Sequence, residues 1–192
     1  EYFRSSPDIS ESVRKRALIA SDEAERVKHL MEEILLYAKP LRLDTQKLDL
    51  IELVNYSMAL VKSEFEQKNL HFELLSGDNN IFVMADREKL IQVFLNLFQN
   101  AIQASEQGGV IVVLLSREPA SGWVQMEINN RGEMIAADLL GKVFEPFYTT
   151  RAHGTGLGLN IVKRIVEAHG GEINASSGKD TGTTFNLSLP SA

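Results

Sequence analysis

Between Asp8 and Ala38, apolar or small side chains recur at Val13, Ala17, Ala20, Ala24, Val27, Met31, Ile34 and Ala38, in unbroken steps of four and three. That spacing is a heptad seam, the pattern by which one helix packs along another. No glycine or proline interrupts it. Pro7 suits a first turn, Asp8 with Glu11 a capping box, and Pro40 a stop. At ~1.5 Å per residue, the helix predicted over 8–38 is a rod of about 46 Å. The chain offers no second helix of matching length, so the seam is expected to be covered by another chain, or by sequence outside these residues. A solvated helix, or one folded back on the rest of the chain, is the alternative.

Beyond Pro40 the pattern becomes that of a mixed domain. Leu50–Phe65 reads as a helix, and LHFELL (Leu70–Leu75) and IFVMA (Ile81–Ala85) read as strands. Asp86 caps a strongly apolar helix running to about Gln107. VIVVLLS (Val110–Ser116) and WVQMEIN (Trp123–Asn129) are two strands joined by a turn with proline and glycine. A short helix is expected over Asp138–Phe144, then a loop, then a longer helix to Ala168. GEINASS and TTFNLSLP close the chain as a hairpin turned through GKDTG. The order predicts an α/β fold, a two-layer sandwich of a mixed, mostly antiparallel sheet with helices on one face. Residues 1–45 form the helical segment and linker, and residues 46–192 the folded domain.

Composition narrows the function. The 192 residues carry a net charge of −6 with the basic residues scattered, so no nucleic-acid footprint is visible. No apolar run approaches the ~18 residues of a membrane span, and no signal peptide is recognisable. The chain has no cysteine, which excludes disulfides, iron–sulfur ligation and thiol catalysis and fits a reducing compartment. It opens without methionine and in mid-pattern, so a preceding segment is expected.

GTGLGL (Gly154–Leu159) is the most concentrated candidate chemistry. Glycine at every second position is costly in backbone entropy, although a surface turn before a helix can look the same. Three phosphate loops compete. A Walker loop needs Lys-Ser/Thr after its last glycine, whereas Leu159-Asn160 follows here. A dinucleotide fingerprint needs a strand immediately before the glycines, and here a loop with Thr149, Arg151 and His153 precedes them. The third is a lid ending at a helix N-terminus, whose N–H groups and dipole face an anion. Gly156 and Gly158 would let the backbone approach closely, with Leu157 and Leu159 packed beneath.

Such a loop needs the rest of a site elsewhere. Asn96 and Asn100 lie four apart on one face of an otherwise apolar helix. They are either core amides satisfied locally or oxygen ligands for Mg²⁺, which takes few protein ligands beside phosphate and water. NNRGEMI leaves a strand end and could form a base-recognition corner. GTTF offers Gly182 for close approach and Thr183 for a hydroxyl, or is an ordinary strand start.

Taken together and in this order, the pieces resemble the ATP-binding catalytic domain of sensor histidine kinases. This is the Bergerat-type fold shared with gyrase, heat-shock-90 and mismatch-repair ATPases. DREKLIQVFLNLFQNAIQA resembles the family's asparagine box, FEPFYTTR (Phe144–Arg151) its phenylalanine box, GTGLGLNIVKRIVEAHGG its second glycine box and GTTF its last. The similarity covers roughly Leu48–Pro190. The heptad helix resembles the second helix of the family's dimerisation and phosphotransfer bundle. The resemblance implies that Asn100 holds Mg²⁺ bridging the ATP phosphates and that Asn96 orients the phosphate end. A lid from Tyr148 to Gly154, with Arg151 as its cation, would close over the triphosphate beside Thr155. Backbone amides of Gly156, Leu157, Gly158 and Leu159 would cradle phosphate. Ile135 and Leu159 would wall the adenine, with Thr183 assisting. The implied chemistry is γ-phosphoryl transfer from ATP to a histidine, then to a response-regulator receiver domain, by a cytoplasmic kinase core that homodimerises through its N-terminal helix.

Three positions depart from the family pattern. Its first glycine box carries an aspartate that accepts from the adenine amino group, and that position is Asn130 here; the glycines fall on Gly132 and Met134. Asparagine keeps an acceptor oxygen, but a neutral one, which weakens the bond. Met134 is expected to restrict the backbone beside the base. Gln103 stands where a basic residue often contacts phosphate. None of His29, His71, His153 and His169 sits in an acceptor motif, so the histidine-bearing bundle helix is expected to precede Glu1, and the chain to bind ATP without autophosphorylating in cis. A degenerate nucleotide-binding scaffold, or a serine kinase or ATPase of the same fold, are the other readings.

Overall fold

The computed structural model describes residues 11–38, 41–118, 122–151 and 154–192. The chain divides into two units, 1–40 and 41–192. In the first, α1 (Glu11–Ala38) is a single 28-residue helix. Val13, Val27, Met31 and Ile34 of its seam are 47%, 53%, 59% and 42% exposed. Pro7, Asp8 and Pro40, the expected boundary residues, lie outside the described residues, as does His153.

The second unit opens with β1 (Gln46–Asp49), α2 (Leu50–Leu60) and α3 (Lys62–Gln67). Next come β2 (His71–Ser76), β3 (Phe82–Ala85), α4 (Arg87–Ala104), β4 (Val110–Glu118) and β5 (Trp123–Asn130). The unit ends with α5 (Gly158–Ala168), β6 (Glu172–Gly178) and β7 (Gly182–Pro190). Five strands form the main sheet in the order β2-β4-β5-β7-β6. Only β2 and β4 run parallel; the other three pairings are antiparallel. β1 and β3 form a separate antiparallel ribbon, Gln46 opposite Ala85.

Alternation along the central strands sets the layers. Ile111, Val113 and Leu115 of β4, Val124, Met126 and Ile128 of β5, and Phe185, Leu187 and Leu189 of β7 are buried on one face. That face meets the apolar stripes of the helices. These are Leu90, Val93, Phe94, Leu97, Phe98, Ala101 and Ile102 of α4, and Ile161, Val162, Ile165 and Val166 of α5. Phe72 stands edge-on to both Phe65 and Phe98, joining β2 to α3 and α4. Because the side-chain period of a strand is two, Asn130 and Thr183 continue the same buried face at the ends of β5 and β7, opposite each other in register.

Several expectations are corrected. The helix expected over 50–65 breaks at Val61, whose N–H turns back to Met58 O, so α2 and α3 are distinct. The helix of 138–144 is instead a series of turns, such as Leu139 N–H to Ala136 O and Lys142 N–H to Leu139 O. Gly141 in its middle weakens any continuous ladder. α4 stops at Ala104, short of Gln107, because Ser105 is extended and both its N–H and its hydroxyl donate to Ala101 O. β1 was not foreseen: Asp49 holds it in place, capping Ile51 N–H at 3.0 Å and accepting from the Asn80 amide at 2.6 Å.

Candidate functional site

α4 organises both ends of the candidate site. Asp86 caps its start, with one carboxylate oxygen accepting from Lys89 N–H at 3.1 Å and the other from Asp44 N–H at 3.0 Å. Burial alone would raise this carboxyl, but those backbone donors, with the Lys89 charge, hold it below the usual range. Asp86 N–H donates to His169 Nε2 at 2.9 Å, while His169 Nδ1 meets Ile165 O at 2.7 Å. The His169 ring therefore ties the end of α5 to the start of α4.

Midway along α4, Asn96 Nδ2 donates to Gln92 O at 3.1 Å and Asn100 Nδ2 to Asn96 O at 2.9 Å. Both amide nitrogens are thus returned to the helix, which turns both carboxamide oxygens outward as acceptors. Asn96 Oδ1 faces the start of α5: a Cβ placed on Gly158 would stand 3.0 Å from it. Asn100 Oδ1 accepts from Arg151 Nη1 at 2.8 Å, and the same guanidinium nitrogen donates to Gln103 Oε1. Burial draws Arg151 below its usual value and the Glu133 carboxylate opposes the shift, so the group stays a cation. A basic residue at position 103 could not accept this bond; Gln103 can.

The glycine-rich segment folds as a close-approach loop. Gly156 has φ +70°, and a Cβ there would lie 2.4 Å from the Phe147 carbonyl carbon and 2.7 Å from Tyr148 N. Gly154 is pressed against Thr149, whose hydroxyl would stand 2.4 Å from an added Cβ. Thr155 Oγ1 accepts from Leu157 N–H at 3.3 Å, and Leu157 is fully buried under the loop. α5 starts without a side-chain cap, so its first-turn N–H groups at Gly158, Leu159 and Asn160 point out of the helix as donors. Asn160 donates to Phe144 O at 2.9 Å and fixes the preceding loop to the helix.

At the other end of α4, Gly132 bridges to Ser105, and Glu133 N–H donates to Ala104 O at 3.0 Å. A Cβ on Gly132 would lie 1.9 Å from Ala104 O, which no side chain allows. Ile135 N–H donates to Ser177 Oγ at 3.0 Å, and Ser177 Oγ meets Thr183 Oγ1 at 2.8 Å. Asn130 is 1% exposed beside Thr183, and its Nδ2 has no hydrogen-bond partner. Gly182, at φ +73°, lets β7 pass against Asn130 O, 2.2 Å from where its Cβ would be. Met134, expected to constrain the backbone, does not take a left-handed φ; among the described residues only Asn69 and Phe147 do so without being glycine. Its side chain is 50% exposed.

The predicted residues therefore fall into two groups joined by α4. Asn96, Asn100, Gln103, Arg151 and residues 154–159 gather at one, and Asn130, Gly132, Ile135 and Thr183 at the other. Ile135 and Leu159 are both half-buried. Sequence reasoning missed Lys68, Ser177, Asn160 and the bridging role of His169. Ser177, inside the strand GEINASS, gave no signal at all.

The chain belongs to the histidine kinase-, DNA gyrase B- and HSP90-like ATPases, whose profile matches residues 85–192. The sensor histidine kinase ZraS of Escherichia coli (strain K12) is 38% identical over 190 residues, 99% of this chain and 40% of that protein. The nucleotide-free catalytic domain of histidine kinase ThkA is 32% identical with a TM-score of 0.71, over 77% of this chain and 95% of that one. ThkA in complex with the response regulator TrrA aligns at 30% identity and a TM-score of 0.82, over 99% of this chain and 55% of that one. The chain thus carries a nucleotide-binding domain of the histidine-kinase type and spans about 40% of the length of the curated relatives it matches. No helix among the described residues is long and apolar enough to cross a membrane.

Proposed function

We propose that residues 46–192 bind Mg-ATP and transfer its γ-phosphoryl group to a histidine on a bundle helix, from which it passes to a response-regulator receiver domain. Residues 1–45 are, on this reading, part of the dimerisation and phosphotransfer bundle with its linker, and the kinase core works in the cytoplasm as a homodimer. The observation that carries the reading is the Asn96 carboxamide oxygen on α4 facing the uncapped start of α5 at Gly158, with the Asn100 oxygen one turn along against Arg151.

The donor set fits Mg²⁺. Asn100 offers an oxygen ligand, and a single carboxamide beside phosphate and water suits an ion that keeps most of its hydration. The bound ion supplies charge neutralisation on the phosphates. The chain's own residues do the positioning. Arg151, a permanent cation whose guanidinium donates to the Asn100 oxygen, would give up that bond when Asn100 holds the ion and would then be free to pair with phosphate. The backbone amides of residues 156–159, in the loop and the first turn of α5, hold a phosphate, and Asn96 orients it. Thr183 and Asn130 meet the base, which Ile135 and Leu159 flank. Catalysis of this kind is mainly placement and charge stabilisation. His169 is committed to Asp86 N–H and Ile165 O, and His71 sits at the start of strand β2 with no acceptor motif around it, which supports an acceptor outside this domain. The receiver partner is supported by the ThkA–TrrA complex.

Calorimetry with ATP, with and without Mg²⁺, tests the reading. Asn100→Ala is expected to remove most of the Mg²⁺ dependence and weaken binding about tenfold or more. A folded chain that binds no nucleotide, or an Asn100→Ala variant that responds to Mg²⁺ like the parent, would overturn it. The buried, neutral Asn130 favours one second reading, a domain of the same fold with weakened affinity. In that case the parent binds ATP very weakly and Asn130→Asp strengthens binding greatly.

A further inference from the structure

Asn130 puts a hydrogen-bond donor where a carboxylate could only accept. The side chain is on the buried face of β5, in line with Ile128, and is 1% exposed. Its Nδ2 is buried without a partner, an arrangement native proteins avoid unless a ligand or water completes it. An ionised aspartate at this place reads only donors. A carboxamide carries one donor and one acceptor, and a half-turn about its terminal bond exchanges them.

We propose that Asn130 relaxes discrimination at the 6-position of the purine, so that the site takes 6-oxo purine nucleotides as well as 6-amino ones. The inference rests on the reading of this domain as an ATP site with Asn130 at the base. Against adenine, Oδ1 accepts from the 6-amino group and Nδ2 donates to N1. Against hypoxanthine, Nδ2 donates to the 6-oxo group and Oδ1 accepts from N1–H. Both pairings are bidentate and leave no polar atom of the carboxamide edge unpaired. An aspartate would set its oxygens against the 6-oxo oxygen, two acceptors with no proton between them, and a site left with unpaired groups rejects the analogue. The hydroxyl pair beside it imposes no polarity of its own. Thr183 Oγ1 and Ser177 Oγ are 2.8 Å apart, and either hydroxyl can donate to the other, so the pair can reverse with the base.

The test compares Mg-ATP with Mg-inosine triphosphate by calorimetry on the 192-residue chain and on its Asn130→Asp variant, with melting curves to establish folding. Inosine triphosphate is the cleaner probe because guanine adds a 2-amino group. The parent is expected to bind the two within about tenfold of each other, and Asn130→Asp to widen the ratio in favour of ATP by about tenfold or more. A parent that prefers ATP by more than about tenfold overturns the proposal, as does a folded variant whose ratio is unchanged. If the variant does not fold, the parent's ratio decides alone. ATP binding with rejection of inosine triphosphate sinks only this inference, whereas binding of neither sinks the nucleotide-site reading itself.

Discussion

Gly132 sits where the end of α4 and the strand leaving β5 touch backbone to backbone. An alanine methyl would stand 1.9 Å from Ala104 O and 2.8 Å from its carbonyl carbon, and neither atom can swing away as a side chain would. Gly132→Ala must therefore part the two segments and break the Glu133 N–H to Ala104 O bond. We expect a loss of about 2–4 kcal/mol, seen as a lower midpoint in thermal melting, and an unchanged midpoint would mean the contact is not needed. Asp86 makes a prediction of a different kind. Its carboxyl is held below its ordinary value in the folded chain, so its contribution is complete above the unfolded pKa of about 4 and fades as pH falls through the lower folded value. Asp86→Asn keeps an oxygen for the Lys89 cap but sets an amide nitrogen against Asp44 N–H, and should cost about 1–2 kcal/mol at neutral pH. The stability gap between parent and variant should stay constant down to about pH 4 and close in stronger acid. A gap that persists there would point to shape rather than charge at this cap.

Among elements, α4 has the most to coordinate, and its C-terminal carbonyls show how. Ala101 O is taken by Ser105, and Ala104 O by Glu133 N–H. Lys68 Nζ donates to Ile102 O at 2.8 Å, and to Gln103 O and Ser105 O, each at 3.1 Å. A cation at this end also complements the helix dipole. Lys68→Met keeps the stem and removes the charge; denaturant unfolding should show a loss of about 1–2 kcal/mol. Retention of full stability would mean the three carbonyls are served equally well by water. The expected damage extends to nucleotide binding, since the same turn carries Gln103 and stands one turn beyond Asn100. Lys68 also marks the limit of what the sequence discloses. The i, i+4 spacing of Asn96 and Asn100 is local and speaks directly of a shared helix face, and the glycines of 154–158 announce close approach by their density. Lys68 meets its carbonyls from 34 to 37 residues away, and Ser177 reaches Ile135 from 42, so no window along the chain contains both partners. β1 escaped for a related reason. Its four residues, QKLD, carry only one apolar position, and what makes them a strand is pairing with β3 and the Asp49 bonds across the chain. The turns of 138–144 had an apolar pattern short enough to suit a helix, and only the placement of their hydrogen bonds separates the two.

At the scale of the molecule, α1 carries a run of exposed apolar side chains along its seam. Val27 and Met31, successive members of the seam, are each more than half exposed, at 53% and 59%. A side chain of this size gains about 1.5–3 kcal/mol when fully buried, and isolated helices in water are marginal, so α1 gains most of its stability from whatever covers that seam. We take the cover to be a second copy. The 192-residue chain should then show concentration-dependent dimerisation in sedimentation, and a chain limited to residues 41–192 should remain a monomer. Replacing Val27 and Met31 together with glutamate places charge on the seam of each copy and should abolish the dimer, and with it much of the helical signal of α1. ATP affinity should survive both changes, because every group assigned to nucleotide lies in the second unit. A monomeric parent chain whose α1 is nonetheless fully helical would reject self-pairing of this seam, and loss of ATP binding on removing α1 would show that the nucleotide domain depends on it for its fold.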